Sequence, residues 1–177
     1  MKKLKQLLYG ADAVYMGTSN LSLRSRVTVD DDELIKTVEY AHSINKKVYV
    51  ALNIYARDNM YLEIEDQIKI LKKAKVDAFI ISDGGIVEMA KNLAPEIPIH
   101  ISTQANITSY HTSNFWKKNG AERVILAREL NKKEIKDSIK YEDLTEKQMQ
   151  DIATKLLQNK GFEKLSTIFE SLIPQSY

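Results

Sequence analysis

The sequence predicts an α/β fold built on a mainly parallel sheet, and three observations support this fold class. Short apolar runs, rich in β-branched or aromatic residues and bounded by turn formers, occupy residues 11–16, 47–53, 77–82, 98–102 and 123–127. Longer segments with apolar residues at helical spacing separate these runs. Successive runs begin roughly 20 to 35 residues apart, which suits strand–helix units with right-handed crossovers.

Each element follows from its own local pattern. The first strand is expected to stop at Gly17, and the first helix, over residues 30–43, opens with acidic residues, which favour a helix N-terminus. That helix carries Leu34, Ile35, Val38 and Ala41 at helical spacing. Further helices are predicted between the remaining strands, over residues 61–74, 85–94 and 113–119.

The pattern changes near residue 140, where strand signals end. Residues 145–148 resemble a capping box that opens a helix running to Asn159. Gly161 breaks that helix, a second amphipathic helix follows, and Pro174 ends it. We therefore expect two parts: an α/β domain over residues 1–140, and a helical hairpin over residues 141–177 packed on it.

Composition excludes several classes of protein. The 177 residues carry a formal net charge of only +2, so the sequence gives no strong electrostatic case for binding nucleic acid or an anionic membrane. The chain has no cysteine, which excludes disulfides, thiol nucleophiles and thiolate metal ligands within it. No apolar run is long enough to span a membrane, and the N-terminus lacks the apolar core of a signal peptide. We expect a cytoplasmic protein without membrane contact.

The candidate site residues follow the predicted strands. In parallel α/β sheets and barrels, ligands bind at the carboxyl ends of the strands. The polar residues expected to converge there are Arg24, Arg26, Asn53, Asp83, His100, Ser102, Thr103, Gln104, Asn106, Arg128 and Glu129. Three widely spaced histidines give no zinc-ligand spacing, so no metal site is predicted.

Several of these residues have equally simple structural explanations. Asn53 and Asp83 could cap the following helices or shape turns. The glycine pair after Asp83 is a weak anion-binding signal, and a plain turn is the commoner explanation. Arg128 and Glu129 form either a surface ion pair or an anion clamp at the strand end.

Strand alternation predicts which side chains of the fourth strand, residues 98–102, share a side of the sheet. It would place His100, Ser102 and Gln104 on one side and apolar residues on the other. Such a polar stripe within a buried strand costs free energy unless it is paired or lines a site. A satisfied interior histidine is the alternative for His100. The aromatic residues of the segment 110–116 suggest base stacking, although a helix that buries its aromatic face is commoner.

Five blocks of this sequence together resemble a known family. They are residues 10–17, 41–50, 77–85, 99–106 and 123–130, in that order. The sequence is similar to the collagenase-like peptidases of unknown catalytic type, peptidase family U32, over about residues 8–136. The Ser-Thr-Gln block at residues 102–104 and the Ala-Arg-Glu-Leu block at residues 127–130 are the most specific.

The resemblance implies a TIM-like (β/α) barrel core in a bacterial cytoplasmic enzyme. Family members are labelled peptidases or collagenases, and several take part in RNA base hydroxylation or oxygen-independent ubiquinone hydroxylation. Those members carry cysteine-bound iron–sulfur clusters, and some involve prephenate. The implied substrate here is a peptide or an RNA.

The sequence departs from the family pattern at both ends. The opening strand expected before residue 8 and the strand expected after Ile135 are absent, and so is every cysteine. We therefore expect a partial barrel that lacks its own cluster. It is either a truncated or rearranged family member, or one half of a split protein that a partner chain or a second copy completes. An incomplete barrel exposes sheet edges, and the predicted hairpin is a candidate to cover one.

Two functional hypotheses follow. The first is a peptidase or hydrolase with its site at the strand ends, although no standard nucleophile–base pair is recognisable. His100 would be the proton-transfer group, with Ser102, Gln104 and Asp83 as further catalytic candidates. Arg24, Arg26 and Arg128 would bind anions, and Asn53, Thr103, Asn106 and Glu129 would contact substrate. The second is an RNA-modification protein, or an RNA- or partner-binding remnant without catalysis.

Overall fold

The computed structural model of the chain describes residues 10–18, 21–22 and 28–138. Within them, a six-stranded parallel sheet has the order β2-β1-β3-β4-β5-β6. Its strands are β1 (Ala13–Thr18), β2 (Thr28–Val29), β3 (Lys47–Leu52), β4 (Ala78–Ile81), β5 (Ile99–Ile101) and β6 (Arg123–Val124). Its helices are α1 (Asp31–Ser43), α2 (Tyr61–Lys73), α3 (Gly84–Leu93), α4 (Tyr110–Lys118) and α5 (Lys132–Ser138).

The two faces of the sheet differ in what covers them. On one face, strand residues such as Val50 and Ile81 join helix residues such as Leu34 and Ile64 in one large buried core. The opposite face carries a second, smaller cluster, centred on Tyr49, Ala78 and Ile80. In a closed barrel the helix-free face is the interior, so we call it the inner face.

Helix starts at the carboxyl edge of the sheet are fixed by short polar side chains. The Asp30 carboxylate accepts a hydrogen bond from the Glu33 amide at 2.8 Å and caps α1. Ser109 caps α4 in the same way through the Thr112 amide at 3.2 Å. These caps set where the two helices begin after the strand that precedes each of them.

The structure confirms the parallel α/β sheet and corrects some boundaries. The first strand continues through Gly17 to Thr18, because Gly17 pairs with Ala51 on one side and Thr28 on the other. Strand β2 and helix α5 were not predicted, since two residues of strand and a charged seven-residue helix give little periodicity. Helix α4 begins three residues before the predicted start at Ser113, because Ser109 supplies its cap.

Some predictions lie outside the described residues. They concern the candidate anion-binding residues Arg24 and Arg26 and the hairpin over residues 141–177. Within the described ranges, the longest helices have 13 residues, and none has the length and apolar character needed to cross a membrane.

Candidate functional site

The carboxyl edge of the sheet brings Asn53 and Ser102 together. Asn53 follows β3 and Ser102 follows β5, and these strands lie on either side of β4. The Asn53 Nδ2 donates a long hydrogen bond of 3.4 Å to the Ser102 Oγ. The two residues meet because both belong to the inner face, where alternation along β3 and β5 directs them.

The hydroxyl of Ser102 is held by donors rather than by a base. Its Oγ accepts from the Gln104 amide at 3.3 Å as well as from Asn53. A serine nucleophile needs a neighbouring group that takes its proton, and an amide N–H does not. Ser102 is 3% exposed and serves as the cap of the 3₁₀ turn Thr103–Ala105. This arrangement is not that of a serine hydrolase.

Two buried oxygens at this edge have no hydrogen-bond partner among the described residues. They are the Asn53 Oδ1 and the Thr18 Oγ1, the latter on a residue only 2% exposed. A buried acceptor without a partner loses about 1–3 kcal/mol relative to a satisfied one. The Asn53 Oδ1 is therefore a buried acceptor with unused hydrogen-bonding capacity beside the Ser102 hydroxyl.

Asp83, at the end of β4, links two helix starts. Its Oδ1 accepts from the Ile86 amide at 3.0 Å, which caps α3, and from the Tyr61 hydroxyl at 3.1 Å. The capping explanation is thus correct for Asp83. It is wrong for Asn53, whose amide turns to Ser102 across the sheet instead.

Tyr61 approaches position 85 so closely that a larger residue there would require the tyrosine to move. A Cβ atom placed on Gly85 would overlap the Tyr61 hydroxyl oxygen. The second glycine after β4 is therefore explained by packing between α2 and α3. The pKa of Tyr61 is raised, first by burial and then by the negative charge of Asp83, so its hydroxyl stays protonated and donates to that carboxylate.

His100 lies deep in the inner face. It is 3% exposed, and its ring makes an edge contact with the ring of Tyr49, with the centroids 5.0 Å apart. Tyr49 in turn contacts Tyr15 at 5.4 Å, so three rings cross the sheet from β1 to β5. Ala78 lies beside Tyr49 on the intervening strand, and its small side chain leaves room for this crossing.

Tyr15, the last ring of this series, has a raised pKa. Tyr15 is 45% exposed, and burial of part of its ring raises its pKa. The neighbouring Tyr49 also raises this pKa, whereas the positive charge of Arg123 lowers it. Arg123 pairs with His100 across β5 and β6, so both belong to this face.

The remaining candidates lie at the surface of the same edge. Gln104, Asn106, Arg128 and Glu129 are exposed, and Thr103 is half-buried. The placement of Gln104 beside His100 and Ser102 is wrong, because β5 ends at Ile101 and the chain turns into the 3₁₀ turn. The prediction of an ion pair between Arg128 and Glu129 is also wrong, because their charged groups do not lie within 4.0 Å of each other. This segment contacts the rest of the fold through its backbone instead, since the Ala127 amide donates to the Ile107 carbonyl at 2.9 Å.

Helix α4 buries only part of its aromatic face. Trp116 packs against the core and lies near Gly84, whereas Phe115 is 56% exposed and His111 is exposed. The expectation that this helix buries its aromatic residues is therefore correct for Trp116 and wrong for Phe115. The rings of Phe115 and Trp116 pack edge to face at 5.3 Å.

The donor set does not fit a cysteine-bound iron–sulfur cluster. The chain supplies no thiolate, and the described ranges hold no group of three or more His, Cys, Asp or Glu side chains arranged for a metal ion.

Sequence reasoning missed three tyrosines of the site: Tyr15, Tyr49 and Tyr61. Tyr15 and Tyr49 alternate with buried aliphatic residues, which would have placed them on the inner face. Tyr61 is the first residue of the helix after β3, so its position at the carboxyl edge could also have been predicted from the sequence. Its contact with Gly85 depends on how α2 and α3 pack, and no local pattern shows it.

Comparison with known sequences finds RNA-hydroxylation proteins and a protease. The chain is 40% identical over 134 residues to tRNA hydroxylation protein P of Helicobacter pylori, covering 74% of this chain and 32% of that one. It is 38% identical over 130 residues to tRNA hydroxylation protein P of Escherichia coli, covering 73% and 29%. It is 40% identical over 130 residues to the uncharacterized protease MJ0090 of Methanocaldococcus jannaschii, covering 73% and 31%. The chain thus spans about a third of these relatives' length.

Solved structures and a family profile also match this chain. The U32 peptidase Mk0906 matches with a TM-score of 0.60 at 15% identity, over 76% of this chain and 59% of that one. An archaeal fructose 1,6-bisphosphate aldolase matches with a TM-score of 0.51 at 16% identity, over 76% and 58%. These likenesses show a partial (β/α) barrel fold. The profile of peptidase family U32 matches residues 1–150, ten residues into the predicted tail, and the chain belongs to that family.

Proposed function

We propose that this protein takes part in the hydroxylation of RNA nucleosides, and that RNA binds at the carboxyl edge of its sheet. Relatives 37–40% identical to the chain bear the name tRNA hydroxylation protein, and a relative 33% identical is a 23S rRNA 5-hydroxycytidine synthase of Escherichia coli. Because the chain spans about a third of these relatives, their activity is a proposal for this chain. A cytoplasmic location belongs to the same proposal.

The arrangement of Asn53 and Ser102 carries this proposal. A serine held by two N–H donors lacks the base that peptide hydrolysis through a serine requires. A buried amide oxygen without a partner suits recognition instead, because nucleobases are read by hydrogen bonds to their edges. Asn53 would accept from a base N–H while its own N–H group stays fixed on Ser102.

The other candidate residues take subordinate roles in this proposal. Arg24, Arg26 and Arg128 would bind phosphate, with Thr103, Asn106 and Glu129 at the rim. Asp83 and His100 would be the groups that hold or move a proton, although His100 would act from beneath the edge because it is buried. Hydroxylation also needs a redox step, and the chain has no cysteine that could hold an iron–sulfur cluster for it.

The test is a nucleoside analysis in the source cell. Deleting the gene should abolish or reduce one hydroxylated nucleoside in total tRNA or rRNA, as measured by liquid chromatography and mass spectrometry. A plasmid copy should restore it, whereas a copy with Asn53→Ala should not. If every hydroxylated nucleoside keeps its wild-type level in the deletion strain, the proposal is wrong.

A peptidase is the second candidate, favoured by the family's name and by the protease relative. It predicts cleavage of gelatin or casein by the purified chain, lost on Ser102→Ala and on Asp83→Asn. Cleavage that survives both substitutions would show that neither Ser102 nor Asp83 is catalytic. Cleavage that both variants lose would replace the RNA proposal, because those residues would then be catalytic.

A further inference from the structure

The loop between β3 and α2 presents an aromatic ring and a cation on an anchored backbone. Ile54, Ala56 and Met60 pack against the main core. The residues between them point outward: Tyr55 is 69% exposed, and Arg57 is exposed. The alternation of packed and exposed residues fixes the loop, so a ligand would bind it with little loss of chain entropy.

The spacing of the two exposed side chains follows from the backbone. Arg57 has extended dihedral angles, φ −124° and ψ 154°, and its carbonyl accepts from the Met60 amide at 2.8 Å, which closes the following 3₁₀ turn. Residues two apart on extended backbone lie on one side, roughly 6.6 Å from each other. Tyr55 and Arg57 are both exposed and flank Ala56, which packs against the core, so they lie on the outward side of the loop just beyond Asn53.

The charge on Arg57 is not neutralised within the described part of the chain. No carboxylate there lies within 4.0 Å of its guanidinium, even though Asp58 is the next residue. At the opposite edge of the sheet, Lys72 pairs with Glu96 at 3.3 Å. An exposed ring beside a cation without a paired acid matches a nucleotide, because the base offers a face for stacking and the phosphate a negative charge.

We propose that Tyr55 and Arg57 form a contact for single-stranded RNA, in which the tyrosine ring stacks on a base and the guanidinium binds an adjacent phosphate. This deepens the function proposed above and rests on it. It directs one strand of RNA along the β3–α2 loop toward the amide oxygen of Asn53. A base in a duplex is already stacked on its neighbours, so the contact requires an unpaired nucleotide.

The test is fluorescence anisotropy of a labelled oligouridylate with the full chain and four variants. Tyr55→Ala should weaken binding at least fivefold, and Tyr55→Phe should not, because phenylalanine keeps the stacking face. Arg57→Gln should weaken binding and lower the slope of log Kd against log salt by about 0.7. The matched control is Tyr40→Ala, which removes a tyrosine 38% exposed near the end of α1, away from this edge.

The outcomes separate this inference from the proposed function. If the wild-type chain binds and Tyr55→Ala binds equally well, the contact is wrong while RNA modification stands on the nucleoside analysis. Equal weakening by Tyr55→Ala and Tyr40→Ala would also overturn it, since binding would then be unspecific. Wild-type chain that binds no oligouridylate overturns it as well. Equal circular dichroism spectra of the variants establish that folding is unchanged.

Discussion

At the scale of single residues, the position of Tyr61 beside Asp83 and Gly85 explains one of the two glycines that follow β4. The first glycine of the pair, Gly84, is merely tolerated, because a Cβ atom there would meet only Trp116, at 4.0 Å. The second, Gly85, is favoured, because the Tyr61 hydroxyl occupies the space that a side chain there would need. Adjacent glycines of one motif therefore differ in function.

Gly85→Ala should destabilise the chain by about 1–3 kcal/mol, because the new methyl group overlaps the Tyr61 hydroxyl. Urea denaturation measures the free energy of unfolding. Gly84→Ala is the control. It should leave the free energy of unfolding unchanged or raise it by up to about 1 kcal/mol. Equal destabilisation by both substitutions would contradict the assignment, as would a failure of Tyr61→Phe to lessen the effect of Gly85→Ala.

Asp83→Asn should lower the pKa of Tyr61, because it removes the negative charge that helps burial to raise that pKa above 10.0. The raised pKa means that the folded state holds this proton more tightly than the unfolded state. The stability it contributes is present below pH 10 and is lost as the pH rises through the folded pKa. Difference titration of phenolate absorbance against Tyr61→Phe measures the shift. An unchanged or higher pKa in Asp83→Asn would refute the coupling.

At the scale of the elements, the inner face of the sheet depends on side-chain size in its middle strand. Tyr49 on β3 and His100 on β5 meet across β4, whose residue beside Tyr49 is Ala78. Ala78 has no exposed surface. A small residue on the central strand thus lets two larger rings on its neighbours touch.

Ala78→Val should lower the free energy of unfolding by about 1–3 kcal/mol, because its two added methyl groups enter the space of the Tyr49 ring. It should also change the near-ultraviolet circular dichroism that the packed tyrosines produce. Ala51→Val, on the same face but only half-buried, is the control and should cost less. Thermal unfolding of both variants compares them, and a larger loss in Ala51→Val would argue against this packing.

At the scale of the whole molecule, the open sheet leaves an interior surface accessible. Tyr15 belongs to the inner face, yet it is 45% exposed, because the six described strands do not close around it. The strands at the two edges are only two residues long each. We propose that the predicted hairpin, rather than a second copy or a partner, covers this surface.

Truncation after residue 140 should therefore expose apolar surface and promote association. We expect the full chain to elute as a monomer and the truncated chain as an oligomer or aggregate, with light scattering coupled to size-exclusion chromatography as the measurement. A truncated chain that remains a monomer of unchanged stability would refute the proposed role. A full chain that forms dimers would instead favour completion by a second copy.

The sequence by itself determined the class of fold and the edge at which to look for a site. Strands that alternate with helices favour a parallel sheet, because each helix returns the chain to the edge where the preceding strand began. A parallel sheet then collects its strand ends at one edge. The helix cap formed by Asp83 could also be predicted from the sequence, because it depends on residues within one helical turn.

Only the tertiary structure decided which of the polar residues meet. The pairing of Asn53 with Ser102 depends on β4 lying between their strands, and the Tyr61–Gly85 contact depends on the packing of α2 against α3. Ser102 ends the strand by capping a 3₁₀ turn. The strand alternation that would have placed Gln104 on the inner face therefore stops before that residue. Local periodicity fixes an element's type and face, whereas contacts between residues far apart in sequence are set by how the elements pack.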